Sequence, residues 1–335
     1  MASILLIGDP HLKITRFDLA IQFLNWVTEL AVKLEPDWVV NLGDTFDTHA
    51  VVRSELQVEF KKHVNTIMEH GKSKYFYVLG NHDFYKPTSS KYNALQVMED
   101  FHDDFKVIES RYDIGNVTFL PHYPDHKLFP RDTKEICIAH QTFIGADYGY
   151  NRPDVGVDPD KIAAEIIISG HIHMRQGFGK VIYPGTPYGQ SVDDIDQFKG
   201  VMLFDTETYK QKFIQSPLPM WRGIKIDLRD EQKPALTFND KDHWVVEVTG
   251  PKAEVVAFRD SEEFKKAKKG CDVKFKPKFT DKEKRLIAIE AVSMDKVMAE
   301  WVEKVYQGSV DKELIVNKAL EILARVRQQN AKVKL

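Results

Sequence analysis

The sequence predicts an α/β fold in which two β-sheets pack as a sandwich flanked by helices, followed by a small α+β capping domain and C-terminal helices. Three observations predict it. Short apolar runs alternate with helical patterns over the first hundred residues, the spacing of a layered α/β core. From Val107 onward the apolar runs crowd together, which calls for a second sheet packed on the first. Five of the runs also end in polar residues rich in Asp, Asn and His, four of them through a glycine, as buried strands do where they open into loops at one sheet edge.

Taken in order, Ile4–Ile7 is the first predicted strand. A helix follows from Arg16 to Leu34, because Phe17, Ala20, Ile21, Leu24, Val27 and Leu30 recur at helical spacing. Trp38–Leu42 is a strand, Arg53 to His70 a helix, Tyr75–Leu79 a strand and Lys91 to Phe101 a short helix. The strand-dense half contains Val117–Leu120, Ile136–Ala139, Ile166–Ile168, Val181–Tyr183 and Gly200–Asp205. The prolines at 217 and 219 mark a change and set the expected boundaries: a catalytic domain over 1–217, a capping domain over 218–279 and a helical segment over 280–335. Within the cap, Trp221–Leu228 and Trp244–Val248 read as strands and Asp260 to Lys269 as a charged helix. Thr280-Asp-Lys-Glu283 is a capping box. It opens a helix whose apolar face is Met294, Val297, Met298, Trp301, Val302 and Val305. Gly308 breaks that helix, and Leu314, Ile315, Ala319, Leu320, Leu323 and Val326 mark the last one.

Composition narrows the class. An apolar share of 43% and a charged share of 29% over 335 residues suit a globular chain of more than one domain. A net charge of −3 argues against non-specific wrapping of nucleic acid and still allows a local basic patch. Cys137 and Cys271 make no disulfide scaffold, so a reducing cytoplasm is expected. No apolar run reaches the roughly 18 residues a membrane span needs, so no membrane association is expected.

The strand-end residues carry the chemistry. Asp9 and His11 flank one residue, as do His171 and His173, so each pair can face one cation. Asp44 offers two oxygens and is the candidate bridge between two ions. Asn81 adds a neutral oxygen and His140 an imidazole. Oxygen and nitrogen donors without thiolate suit a pair of borderline divalent ions, the equipment of a phosphoester hydrolase. His82, beside Asn81, is expected to point away from its neighbour and to serve as a proton or hydrogen-bond donor. Asp47 and Asp83 are candidate acceptors that orient the imidazoles.

These residues resemble the calcineurin-like metallophosphoesterase pattern: GDPH, GDTFD, GNHD, AHQ and GHIH, in that order over about residues 1–205. Within that superfamily YFYVLGNHDFY, SGHIHM, and YPGTPYGQSVDD followed by KGVMLFD resemble the Mre11/SbcD-type nuclease subunit in a bacteriophage-like version. The resemblance implies a metal-dependent DNA nuclease, exonuclease or endonuclease, for repair or recombination. Its implied cofactor is two divalent ions, Mn²⁺ first, with Mg²⁺, Fe²⁺ or Zn²⁺ as alternatives. Asp9, His11, Asp44 and His173 would hold one ion, Asp44, Asn81, His140 and His171 the other, and His82 would touch the scissile phosphate. Asp47 stands where some members carry a histidine, with His49 the nearest substitute. The implied partners are DNA, a second copy of the chain, and a Rad50/SbcC-type ABC ATPase docked on the C-terminal helices; the implied location is the cytoplasm, the host's if the chain is phage-encoded.

Substrate class stays open on the residues alone. Lys265, Lys266, Lys268, Lys269, Lys274, Lys276, Lys278, Lys282 and Lys284 with Arg285 form a candidate DNA-facing patch, with Phe275 and Phe279 available either for stacking or for the core. Tyr148, Tyr150 and Arg152 are candidate cleft residues. A small-molecule or cyclic-nucleotide phosphodiesterase is the alternative, and a non-catalytic scaffold a third reading.

Overall fold

Along the first strand, alternate side chains enter two different cores. Leu5 and Ile7 join a cluster with Phe23, Val27, Phe60 and Val64, whereas Ile4 and Leu6 join one with Phe119, Ile138 and Ile168. A strand buried on both faces this way reads as an unbroken apolar run. In the computed structural model, which describes residues 2–49, 52–86, 89–98, 101–149, 155–280, 302 and 311–321, this arrangement builds an α/β sandwich. The first sheet orders its strands Gln211–Gln215, Gly200–Asp205, Ser3–Ile7, Trp38–Asn41, Lys74–Val78 and Phe105–Ile108. The second orders Gln176–Phe178, Val181–Tyr183, Ile166–Gly170, Ile136–His140, Val117–Leu120 and Tyr112–Ile114.

Register decides where the loops emerge. Ser3–Ile7 pairs in parallel with Trp38–Asn41, which pairs in parallel with Lys74–Val78. In the second sheet Ile136–His140 lies parallel to both Val117–Leu120 and Ile166–Gly170. Within each sheet the carboxyl ends of these strands therefore lie along one edge. Helices α1 (Phe17–Leu34) and α2 (Ser54–Gly71) cover the outer face of the first sheet. In α1 the stripe Ala20, Phe23, Leu24, Val27 and Ala31 is buried, and each large side chain so buried contributes about 1.5–3 kcal/mol.

One predicted element is different. The segment read as a helix from Lys91 to Phe101 forms a strand, Ser89–Asn93, paired with Phe84–Lys86, and then a 3₁₀ turn, Gln96–Met98. Asn93 Oδ1 accepts from the Leu95 backbone N–H at 2.8 Å, so the side chain folds the backbone into a turn where a helix would begin.

The chain divides into two compact units, Met1–Thr249 with Ala253–Lys278, and Gly250–Lys252 with Phe279–Leu335. The first also contains, but for the end residues Gly250 and Phe279, a three-stranded sheet of Trp221–Asp227, His243–Gly250 and Asp272–Phe279. Helices α3 (Lys252–Asp260) and α4 (Glu262–Ala267) supply Val255 and Phe264 to its core. Phe275 belongs to that core, its ring 5.5 Å from Phe264, so core packing and not base stacking is its use. In the second unit a helix runs through 312–321. The predicted helix with Met294, Met298 and Trp301, and the far half of the last one, lie outside the described residues, as do Tyr150, Arg152, Lys282, Lys284 and Arg285. No helix among the described residues is long and apolar enough to cross a membrane.

Candidate metal centre

Five parallel-strand ends deliver the site. Asp9 and His11 follow Ser3–Ile7, Asp44 follows Trp38–Asn41, Asn81 follows Lys74–Val78, His140 closes its own strand, and His171 and His173 follow Ile166–Gly170. Asp9, His11, Asp44 and His171 adopt left-handed backbone, with φ of 20°, 44°, 51° and 87°. Strained backbone of this kind costs on the order of 1–3 kcal/mol per residue and persists where the surroundings over-determine it. Glycine makes room: a Cβ on Gly80 would overlap Asp44 Oδ1 and come within 2.6 Å of the His140 ring.

The donor atoms converge in two groups that share Asp44. Asp9, His11 and Asp44 form one and Asp44, His140 and His171 the other, each with its donor atoms within 4.8 Å. Asn81 Oδ1 lies 2.7 Å from His171 Nδ1 and 3.1 Å from His140 Nε2, which places it in the second group. His173 Nε2 lies 3.0 Å from His11 Nε2, which places it in the first. Two donors about 2.1 Å from one ion and at right angles around it stand about 3 Å apart. Asp9 Oδ2 and His11 Nδ1 are buried without a hydrogen-bond partner among the described residues, and a bound cation would satisfy a buried carboxylate oxygen in that position. His140 Nδ1 sits 2.6 Å from the Leu42 carbonyl oxygen. Donation there leaves Nε2 facing the site, as in metal-binding histidines anchored by backbone. The residues present fit a pair of divalent ions.

Electrostatics point the same way. Burial pushes Asp9 up to about 7, and Asp44 adds to the rise against the pull of His140. Burial also opposes charge on Asp44, but His140, with Nε2 at 3.3 Å, outweighs it and holds the carboxyl well below the usual range. For His140 itself burial pulls down, yet Asp44 and Asp9 win and raise it to about 9. Burial lowers His11, His173 and, to about 3, His171. His11 is therefore neutral, and its 3.8 Å approach to Asp44 is not an ion pair. Without ions, the pocket stores protons on Asp9 and His140 where cations would otherwise balance the carboxylates.

A pH dependence follows. Both groups lie above their ordinary values of 3.8 and 6.5. Their protonated forms stabilise the ion-free fold fully below those values, and that contribution is lost as pH rises through about 7 for Asp9 and about 9 for His140. Asp44 acts in the opposite sense and only in acid. Cation binding must displace these protons, so Mn²⁺ is expected to raise Tm more at about pH 8 than at about pH 6. Melting curves at fixed Mn²⁺ check this; a gain that stays level or shrinks with pH contradicts it.

Residues 2–175 match the model of the calcineurin-like phosphoesterase family. The chain belongs to that family. It is 25% identical over 216 residues to a protein of Invertebrate iridescent virus 3 named as phosphoesterase 078R, covering 57% of this chain and 60% of the viral protein. The match thus spans less than two thirds of that relative. Exonuclease subunit 1 of Enterobacteria phage T4 is 22% identical over 250 residues, 68% of this chain and 74% of the phage protein. A protein of Invertebrate iridescent virus 6 named as phosphoesterase 244L is 29% identical over 212 residues, covering 57% and 73%.

Around this phosphoesterase site, Asn81, His82 and Asp83 form a turn and not extended backbone, and their side chains still diverge. The His82 backbone N–H donates to Asp44 Oδ1 at 2.8 Å, and its Nδ1 lies 3.1 Å from the Asp47 carbonyl oxygen. The ring meets His11 edge-on at 4.9 Å and stacks on His49 at 4.2 Å. Asp83 is fully buried and orients backbone instead of imidazole: its Oδ2 accepts from the Asp44 and Gly80 N–H groups, and its Oδ1 from the Tyr77 hydroxyl. Asp47 Oδ1 stands 3.6 Å from His11 Nδ1 and 3.1 Å from Lys13 Nζ.

His122 escaped the sequence reading. Its ring stacks on His171 at 5.8 Å, its Nδ1 lies 3.3 Å from the His140 carbonyl oxygen, and burial lowers it to about 4. It follows the end of strand Val117–Leu120, so the strand-end rule that found the others reaches it too. A cleft of about 290 Å³ opens beside His171 and His173, with Tyr148 in its wall. The candidate DNA-facing lysines Lys265, Lys266, Lys268, Lys269, Lys274 and Lys276 are exposed. Lys274, Lys276 and Lys278 alternate with the core residues Val273 and Phe275 along one strand, and so share its outer face.

Proposed function

We propose that this chain is a two-metal DNA nuclease. The observation that carries the reading is the sharing of Asp44 between two converging donor groups. Support for a nucleic acid over other phosphodiesters comes from the likeness to the phage exonuclease subunit and from the lysine row. Two divalent ions held there would supply charge neutralisation for a phosphodiester and acidify a water molecule. Asp9, His11, Asp44 and His173 hold one position, and Asp44, Asn81, His140 and His171 the other. His82 donates from Nδ1 to the Asp47 carbonyl, which leaves Nε2 to pass a proton to the departing oxygen when the ring is charged. Residues 218–279 cap the catalytic domain of 1–217, and 280–335 docks a Rad50/SbcC-type ATPase; the nuclease works as a homodimer with Mn²⁺ in both positions.

Rates on duplex and single-stranded DNA, cyclic nucleotides and an aryl phosphodiester, all with Mn²⁺, test the substrate class. DNA cleavage should exceed cyclic-nucleotide turnover. The reverse order would assign the cleft to a small phosphodiester. Replacing Lys274, Lys276 and Lys278 together by Glu should weaken duplex binding and flatten its salt dependence, each lost phosphate contact lowering the slope by about 0.9. Aryl phosphodiester turnover should not change. Equal DNA affinity and slope in the triple variant would make the row a solvated face.

A further inference from the structure

The segment from Tyr183 to Asp194 and the following Lys199 carry no donor atom of the metal centre, yet they contain a buried ion pair beside it. Asp194 and Lys199 are 6% and 3% exposed. A buried pair is weak evidence for stability, because apolar residues of similar size commonly serve as well. What this pair touches is therefore informative. Lys199 has three N–H donors, and all are engaged: by Asp194 Oδ1, by Gln197 Oε1 at 2.9 Å and by the His173 carbonyl oxygen at 2.9 Å. Asp194 Oδ2 accepts from the backbone N–H of Gln190 at 2.7 Å and of Ser191 at 3.2 Å. Gln190 then donates from Nε2 to the Pro10 carbonyl oxygen at 2.7 Å.

The chain of contacts ends on two loops. Pro10 lies between Asp9 and His11, and the other end is the backbone of His173 itself. These loops carry the two imidazoles whose Nε2 atoms face one another at 3.0 Å. Of the other donor group, His140 is anchored elsewhere, its Nδ1 on Leu42, whereas His171 shares the His173 loop and its backbone N–H donates to Asp9 Oδ1 beside Pro10.

We propose that Lys199, Asp194 and Gln190 are positioning residues that set the His11–His173 spacing and thereby tune chiefly the ion position these two imidazoles would share. The inference rests on the two-ion reading. An uncharged Lys199→Met/Asp194→Leu double variant of the full chain removes both charges, so neither is left buried alone. Gln190→Leu cuts the Pro10 tether and leaves the ion pair in place. Three measurements apply to each: thermal melting, Mn²⁺ titration calorimetry, and the imidazole nitrogen resonances of the metal-free protein. Melting should stay close to wild type while Mn²⁺ affinity at one position falls about 10–100-fold. The His11 and His173 resonances should move and that of His140 should stay. Unmoved His11 and His173 resonances in a folded variant, or equal weakening of both positions, overturns the proposal. If the wild-type protein takes up no ion pair, the two-ion reading fails, and the metal-free resonances still decide the positioning claim.

Discussion

Asp44→Ala is expected to abolish turnover of every phosphodiester substrate, because among the described residues Asp44 alone belongs to both donor groups. Its loss should exceed the ~10–100-fold that removal of an outer-shell partner brings. The ion-free fold should lose stability too. Asp44 is buried against a charged His140, and breaking a buried pair costs about 3–5 kcal/mol. That is bearable for a domain holding about 5–15 kcal/mol, and Asp44→Asn, which can still accept from the His82 N–H, provides a gentler companion. Circular dichroism, Mn²⁺ titration and rate should be read on both variants. Near wild-type cleavage by a folded variant that has lost the ion pair would defeat the mechanism.

His82→Ala is expected to slow cleavage by about 10²–10⁴-fold, the usual yield of a positioned proton donor, or about 2.7–5.4 kcal/mol in barrier. Both ions should remain bound, since the His82 ring meets His11 edge-on, stacks on His49 and turns Nδ1 to the Asp47 carbonyl, and the two donor groups converge without it. Occupancy measured beside rate separates the roles. Loss of an ion in this variant would move His82 among the ligands.

The parts of this molecule that could be read in sequence share a physical cause. Strands such as Ser3–Ile7 and Ile136–His140 are buried on both faces, so their apolar runs are unbroken and end abruptly at Asp9 or His140. The seven donors follow such ends. Less was legible where a side chain or a partner decides the conformation. Asn93 turns the chain at a place where the apolar spacing resembles a helix. Helix α3 shows only Val255 as a buried residue, too little for a periodic signal. Tyr112–Ile114 and Gln176–Phe178 are three-residue edge strands. Asp194 and Lys199 look like surface charge in sequence, and only the fold reveals that they are buried together. Asp83 reads in sequence as a supporting acidic residue, but its hydrogen bonds to the Asp44 and Gly80 amides depend on a turn that residue type does not disclose.

Anomalous diffraction from crystals of the full chain grown with Mn²⁺ would locate the ions themselves. Two peaks about 3.5–4 Å apart are expected, with Asp44 between them, His11 and His173 on one side and Asn81, His140 and His171 on the other. A single peak, or a pair lying away from Asp44, would contradict the two-ion reading.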